Sequence, residues 1–247
     1  MATSPFPTNR DTDADWRQIG ASEPFWGVLT HPEFKAENLD AAAIKAFYAT
    51  GVDYVAYVAW ELAMLSGGTP FHVARALDFG CGVGRLTEAM TAHADAVTGY
   101  DISPGMLETA RSKSGGKPVY TDRLPDGPFD WLNSYIVFQH MPPEQGYVLL
   151  DQLLERLAPG GFVSLHFTFY RDAHLKPPQA PPAPLLNRVF GRAPAPAEPP
   201  PGSLMMYDYD LTRLCEALNR AGVGRMTLAH TDHGGHHGAH IFGAKDG

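Results

Sequence analysis

Cysteine is nearly absent from this sequence: Cys81 and Cys215 are its two thiols. That scarcity excludes a disulfide framework and reads as two reduced thiols in a cytoplasmic protein. Also missing is any apolar run near the ~20 residues that a membrane-spanning helix requires. The opening stretch, MATSPFPTNRDTDAD, has neither a basic start nor an apolar segment, so no export signal is expected. Basic residues are outnumbered, with 19 Lys and Arg against 27 Asp and Glu, for a formal net charge of −8. Without a basic stripe, such a chain is not expected to have nucleic acid as its main partner. No internal repeat is visible.

What is present suffices for one large α/β domain, alone or with an appended lid: 247 residues, 44% of them hydrophobic. Residues 1–23 are polar and rich in Pro, Ser, Thr and Asp, and are expected to form a mobile arm. Residues 24–70 read as an N-terminal helical cap. Its apolar cluster Phe25-Trp26-Gly27-Val28-Leu29 reads as packed on the main domain, with a flap over the ligand site as the alternative. Asp40 is a good N-cap, Gly51 divides two helices, and Gly67-Gly68 ends the second.

Residues 71–247 then alternate short apolar runs with helical stripes. Strands are expected at 74–79, 96–100, 117–121, 130–137 and 162–169, and the last two segments look like a hairpin. Helices with apolar stripes lie between them, such as Leu150, Leu153, Leu154 and Leu157. This alternation predicts a doubly wound, mostly parallel sheet with helices on both faces. A proline-rich segment, 176–202, interrupts it and reads equally as a disordered insertion or a lid.

The stretch 74–101 organises the rest. Ala76-Leu77 leads to Asp78, glycines follow at Gly80, Gly82 and Gly84, then a helical pattern, then a run ending in Asp101. A strand, glycine turn, helix, strand and acid in this order hold an adenosine-containing cofactor at the carboxyl edge of a parallel sheet. The nicotinamide fingerprint G-x-G-x-x-G would need glycine at position 85, where this chain has Arg85.

Four motifs in order carry a resemblance: Asp78-Phe79-Gly80-Cys81-Gly82-Val83-Gly84-Arg85; Gly99-Tyr100-Asp101-Ile102-Ser103; Phe129-Asp130 leading to Phe138-Gln139-His140; and Leu157-Ala158-Pro159-Gly160-Gly161. Over about 74–245 the chain resembles the class I S-adenosylmethionine-dependent methyltransferases. The resemblance implies a Rossmann-like, seven-stranded sheet with an antiparallel last strand, S-adenosylmethionine as cofactor, and S-adenosylhomocysteine as product. On that reading Gly80 and Gly82 let the backbone approach the ligand, and Gly84 permits close packing of the following helix. Asp78 attracts the cofactor's ammonium, directly or through water. Asp101 accepts both ribose hydroxyls, Ile102 and Met106 flank the adenine, Asp122 accepts its amino group, and Ser134 helps hold the methionine end.

Methyl transfer asks the protein to align acceptor, methyl and sulfur and to exclude water. A hydroxyl acceptor also loses a proton, and His140, just past strand 4, is the expected catalytic base, a structural turn histidine being the alternative. His166, inside strand 5, reads as core or pocket wall. The turn Thr231-Asp232-His233-Gly234-Gly235-His236-His237-Gly238-Ala239-His240 should lie on the ligand face. His233, His236 and His237 are candidates to line the acceptor pocket, with a transition-metal site or a plain surface turn as alternatives; no metal ligands are assigned. The expected function is transfer of a methyl group to an oxygen or nitrogen of a small molecule, without a nucleic-acid or membrane partner. The rivals are a non-methylating enzyme on the same fold, a cofactor-binding accessory protein without turnover, and a nucleic-acid methyltransferase.

Overall fold

The computed structural model describes residues 10–175, 200 and 202–247. Seven strands form one sheet: β1 Val73–Phe79, β2 Ala94–Tyr100, β3 Val119–Thr121, β4 Phe129–Ser134, β5 Leu157–Arg171, β6 Val223–Asp232 and β7 His236–Lys245. Their order is β3-β2-β1-β4-β5-β7-β6. The first five strands run parallel, and β7 is antiparallel to both β5 and β6. This is the doubly wound sheet with an antiparallel last strand expected from the sequence. β1 has β2 on one side and β4 on the other, so the winding reverses there and opens a crevice at the carboxyl edge.

Apolar stripes explain the layers. On one face α3 (Ala41–Leu65) and α4 (Arg85–Met90) bury Val58, Leu62, Leu86 and Met90 against Trp131 and Phe242. On the other, α6 (Pro143–Glu155) and α7 (Leu211–Arg220) bury Leu150, Leu154, Leu214 and Leu218 with Phe167 and Ile241. Each fully buried Leu, Phe or Met of these layers contributes about 1.5–3 kcal/mol of transfer free energy. α5 (Pro104–Lys113) packs Leu107 and Ala110 on Cys81 and Tyr120.

The structure departs from the sequence reading in several elements. Residues 12–22 are a helix, α1 (Thr12–Ser22), and not a mobile arm. Asp11 caps it by accepting from Ala14 N, and buried Asp15 pairs with Arg10 at 2.6 Å. α1 docks on α5 through glycine: a Cβ on Gly105 would strike the Gly20 carbonyl, and one on Gly20 would strike Ser103 Oγ. The short helix α2 (Pro24–Val28) follows.

Gly51 does not divide two helices. α3 runs through it unbroken, because a Cβ there would collide with the Arg85 carbonyl, so glycine serves the close crossing of α3 on α4. β4 stops at Ser134, short of Val137, because Ile136 takes a positive φ of 59° and turns the chain out of the sheet. β5 begins at Leu157, with Leu157 already paired to Phe129. The proline-rich segment expected at 176–202 lies almost wholly outside the described residues. Among the described residues, no helix is long and apolar enough to cross a membrane.

Candidate cofactor and acceptor site

The β1–α4 turn is pinned to β2 and α3. Gly80 N and Cys81 N both donate to Tyr100 O, at 2.8 and 2.9 Å, and Tyr48 Oη donates to Val83 O at 2.8 Å. Gly80 has φ +73° and Gly82 φ +53°, backbone that L side chains rarely adopt. An added Cβ would strike Val137 at Gly80 and Val28 at Gly82. Gly80→Ala is therefore expected to cost about 2 kcal/mol, a fall in Tm of roughly 4–8 °C, and to abolish cofactor binding. Thermal melts with and without S-adenosylhomocysteine measure both; an unchanged ligand-induced shift would refute the prediction.

Asp101, just past β2, turns its carboxylate back to the same loop. Oδ2 accepts from Gly82 N at 2.9 Å and Oδ1 from Ser103 N at 2.8 Å. Burial lifts its pKa to about 6 against those two hydrogen bonds. Each oxygen retains a lone pair, and Asp101 faces a cavity of about 210 Å³. Gly80 and Gly82 form one side of that cavity, with Ile102 and Met106 beyond Asp101. Met106 is fixed in an apolar cluster with Ile19, Phe25 and Phe47, so the cap and the cofactor side share one core.

Trp16, Tyr135, Ile136, His140 and Arg85 line the same cavity. Ile136 is the only non-glycine residue with positive φ among the described residues, and it lies on the cavity wall. Strain of this kind gathers at sites where the surroundings fix an otherwise unfavourable backbone. His140 is buried, donates from Nδ1 to Met205 O at 2.8 Å, and has Nε2 3.2 Å from the Gln139 amide nitrogen. Burial lowers its pKa to about 4, so the ring is neutral at pH 7. The Trp16 ring stands edge-on to it at 4.9 Å.

Several expected site residues lie elsewhere. Asp78 is not on the cavity wall. Its oxygens accept from Thr87 Oγ1 at 2.6 Å and Asn133 Nδ2 at 2.8 Å, and it is 2% exposed, so direct contact with a ligand in the cavity does not fall to it. Gly84, φ +82°, packs against Tyr120, from β3, and not against the ligand space. Asp122 is exposed and off the wall. Ser134 is fully buried with an unpartnered Oγ, also off the wall.

The terminal turn reaches the carboxyl edge as expected, but its histidines stand behind the cavity. Tyr135 connects the two: its hydroxyl is 3.4 Å from His233 Nε2, and its ring lies 5.1 Å from His166. His166 bonds Thr231 Oγ1 at 2.8 Å. His237 stacks on His230 and approaches Asp172 at 3.2 Å, and His236 pairs in register with Arg171; neither is on the cavity wall, although the field of His236 reaches His140. Among the described residues no three His, Cys, Asp or Glu side chains gather closely enough to hold a metal ion.

Sequence reasoning passed over Arg85, Trp16 and Tyr135. Arg85 stood in plain view in the glycine motif but was read only as a departure from another fingerprint. Trp16 lies in a polar stretch with little periodicity, and only the docking of α1 brings it to the site. Tyr135 was read as part of a longer strand.

Comparison with known proteins agrees with this geometry. Residues 76–161 match the family model of a methyltransferase domain. A trans-aconitate 2-methyltransferase of Rhizobium etli is 29% identical over 151 residues, covering 49% of this chain and 58% of that protein. A ubiquinone biosynthesis O-methyltransferase of Xylella fastidiosa is 34% identical over 116 residues, 42% of this chain and 46% of that one. The chain thus spans about half the length of these curated relatives. The S-adenosylhomocysteine complex of magnesium protoporphyrin IX methyltransferase from Synechocystis superposes with TM-score 0.62 at 19% identity, over 96% of this chain and all of that one. The methyltransferase-domain match thus covers the stretch from β1 to the start of β5, and the fold is that of the S-adenosylhomocysteine-bound neighbour. The same Synechocystis enzyme has also been solved with bound S-adenosylmethionine, at 17% identity and TM-score 0.59 over 97% of this chain and all of that one. The residues present in this chain fit that cofactor: glycines where a Cβ would intrude, a carboxylate with free lone pairs for a diol, and apolar side chains beside it.

Proposed function

We propose that this chain transfers the sulfonium methyl of S-adenosylmethionine to an oxygen or nitrogen of a small molecule. The observation that carries the reading is one cavity lined both by the glycine turn and Asp101 and by Trp16, Tyr135 and His140. α1 and α2 contribute Trp16, Gly27 and Val28 to its cover, which favours an acceptor small enough to be enclosed. The names of relatives span O-methyltransferases and N-methyltransferases, which supports both kinds of attacked atom.

When bound, the cofactor supplies a methyl group already activated by positive sulfur. In this reading Asp101 takes the ribose hydroxyls, while Ile102 and Met106 flank the adenine. Ser134 and Asp122, one enclosed and one exposed, have no part in the walls and are assigned none in binding. Trp16 and Tyr135 bracket the acceptor and keep water out. His233, His237, His166 and His236 are not on the cavity wall and are assigned no contact with the acceptor.

His140 was expected to remove a proton. With its pKa near 4 and its Nδ1 proton committed to Met205, the imidazole is a weak base. Its Nε2 lone pair accepts from the Gln139 amide, so its part is to shape the cavity wall beside Trp16, with the proton passing to solvent after methyl transfer. His140→Ala is expected to lower kcat about 10–100-fold and to leave affinity for S-adenosylhomocysteine within about 3-fold. In the wild-type protein the acidic limb of kcat, measured at saturating cofactor, should fall near pH 4. A limb at 6.5 would sink this assignment and restore an ordinary histidine base.

Incubation with S-adenosylmethionine and a panel of small acids, phenols and amines tests the main proposal. S-adenosylhomocysteine and a methylated product are expected together. S-adenosylhomocysteine without a methylated product favours other chemistry on the same fold, and cofactor binding without turnover favours an accessory role.

A further inference from the structure

We infer that the Arg85 guanidinium holds the carboxylate of a bound ligand, an inference that rests on the methyltransferase reading and deepens it. Arg85 lines the cavity and is 6% exposed. A guanidinium is always charged and carries five donors. Here one of them has an acceptor in the structure: Nη1 donates to Thr50 Oγ1 at 3.2 Å. Nε is buried with no hydrogen-bond partner. Among the described residues no carboxylate lies within ion-pair distance of Arg85. Asp78 acts on it only through its field, since Thr87 and Asn133 occupy the Asp78 oxygens.

A buried charge left without a counter-ion is strongly unfavourable, and burial accordingly pulls the Arg85 pKa down. Packing alone does not call for such a side chain. α3 crosses α4 here on Gly51 against the Arg85 backbone, and an aliphatic side chain would satisfy that contact. The unmet groups are those of a planar fork, which a carboxylate answers with two parallel hydrogen bonds. Tyr54 and Tyr135 are the other groups whose fields reach Arg85, and Tyr135 lines the same cavity. The anion has two possible sources with one chemistry: the amino-acid end of the cofactor, or a carboxylate on the acceptor.

The test uses the full chain, wild type and Arg85→Gln, in binding titrations with S-adenosylhomocysteine and with 5′-methylthioadenosine, which lacks the amino-acid end. If the cofactor is the source, Arg85→Gln weakens S-adenosylhomocysteine about 100-fold and leaves 5′-methylthioadenosine unchanged. If the acceptor is the source, both nucleosides bind the variant as they bind wild type. A set of mono-, di- and tricarboxylates then binds the S-adenosylhomocysteine complex of the wild type, but not their methyl esters, and the variant loses that binding about 100-fold. Unchanged binding of S-adenosylhomocysteine and of every carboxylate overturns the inference.

Should Arg85→Gln fail to fold, the wild type decides alone. Equal affinity for S-adenosylhomocysteine and its carboxamide, with no carboxylate binding to the complex, also overturns it. A wild-type protein that binds neither nucleoside would refute the methyltransferase reading itself, a different result from loss confined to the carboxylate.

Discussion

Asp101→Ala is expected to weaken binding of S-adenosylhomocysteine by on the order of 10²–10³-fold. Two charge-assisted hydrogen bonds to the ribose hydroxyls would be lost, each worth roughly 1.5–3 kcal/mol. The same substitution frees Gly82 N and Ser103 N, which Asp101 now holds at 2.9 and 2.8 Å, and so loosens the glycine turn. Asp122→Ala, an exposed carboxylate off the cavity wall, is expected to stay within about 3-fold of wild type. Asp101 also confers a pH dependence. Its pKa is raised to about 6, so the acceptor-only carboxylate prevails above that value and is lost as pH falls through it. Wild-type affinity should decline below about pH 6, and Asp101→Ala should remove that slope. Isothermal titration from pH 8 to 5 measures it; equal affinities for Asp101→Ala and wild type would overturn the ribose assignment.

The second large effect is loss of stability in mild acid. His140, His166 and His240 are buried, and burial lowers the first two to about 4 and about 3 and the third well below 6.5. The unfolded chain takes up protons at these rings below about pH 6.5, whereas the folded chain does not until far lower. The unfolded state thus binds more protons in that window, and stability rises with pH across it. Falling from pH 7 to pH 5, His140 and His166 each remove about 2 kcal/mol, at 1.36 kcal/mol per pKa unit. Asp101 works in the opposite sense. Its raised pKa stabilises the folded state as pH drops through 6 and returns about 1 kcal/mol over the same range, and Asp78 adds to it in the same direction. The net loss of about 2–3 kcal/mol is large beside a typical total of about 5–15. Urea midpoints at pH 7 and pH 5 should differ accordingly, and His166→Gln should flatten the slope by about half. Stability unchanged between those pH values would mean that these histidines exchange protons freely in the folded chain.

How far the sequence reached can be judged from particular residues. Asp101 and the turn Gly80–Gly84 were legible because their requirement is local: a positive φ admits glycine at low cost wherever it occurs, and strand ends can be read from alternation. The stripe of α6 was legible for the same reason, since a repeat of 3.6 residues declares its own buried face. Helix α1 was not. Its polar composition hides a contact that exists only against Gly105 of α5 and through the Arg10–Asp15 pair. The orientation of Asp78 was not legible, because an acid at a strand end can face either way, and its direction depends on Thr87 and Asn133, nine and 55 residues away.

The chain by itself therefore determined the sheet, its winding and the glycine cradle, features set by short-range periodicity and backbone conformation. The tertiary structure alone decided which side chains face the cavity. It turned Asp78 inward, brought Trp16 and Arg85 onto the wall, put Tyr135 between the cavity and the terminal histidines, and lowered the His140 pKa by burial. Those outcomes depend on packing between segments distant in sequence, where desolvation and hydrogen-bond partners are fixed only once the layers close.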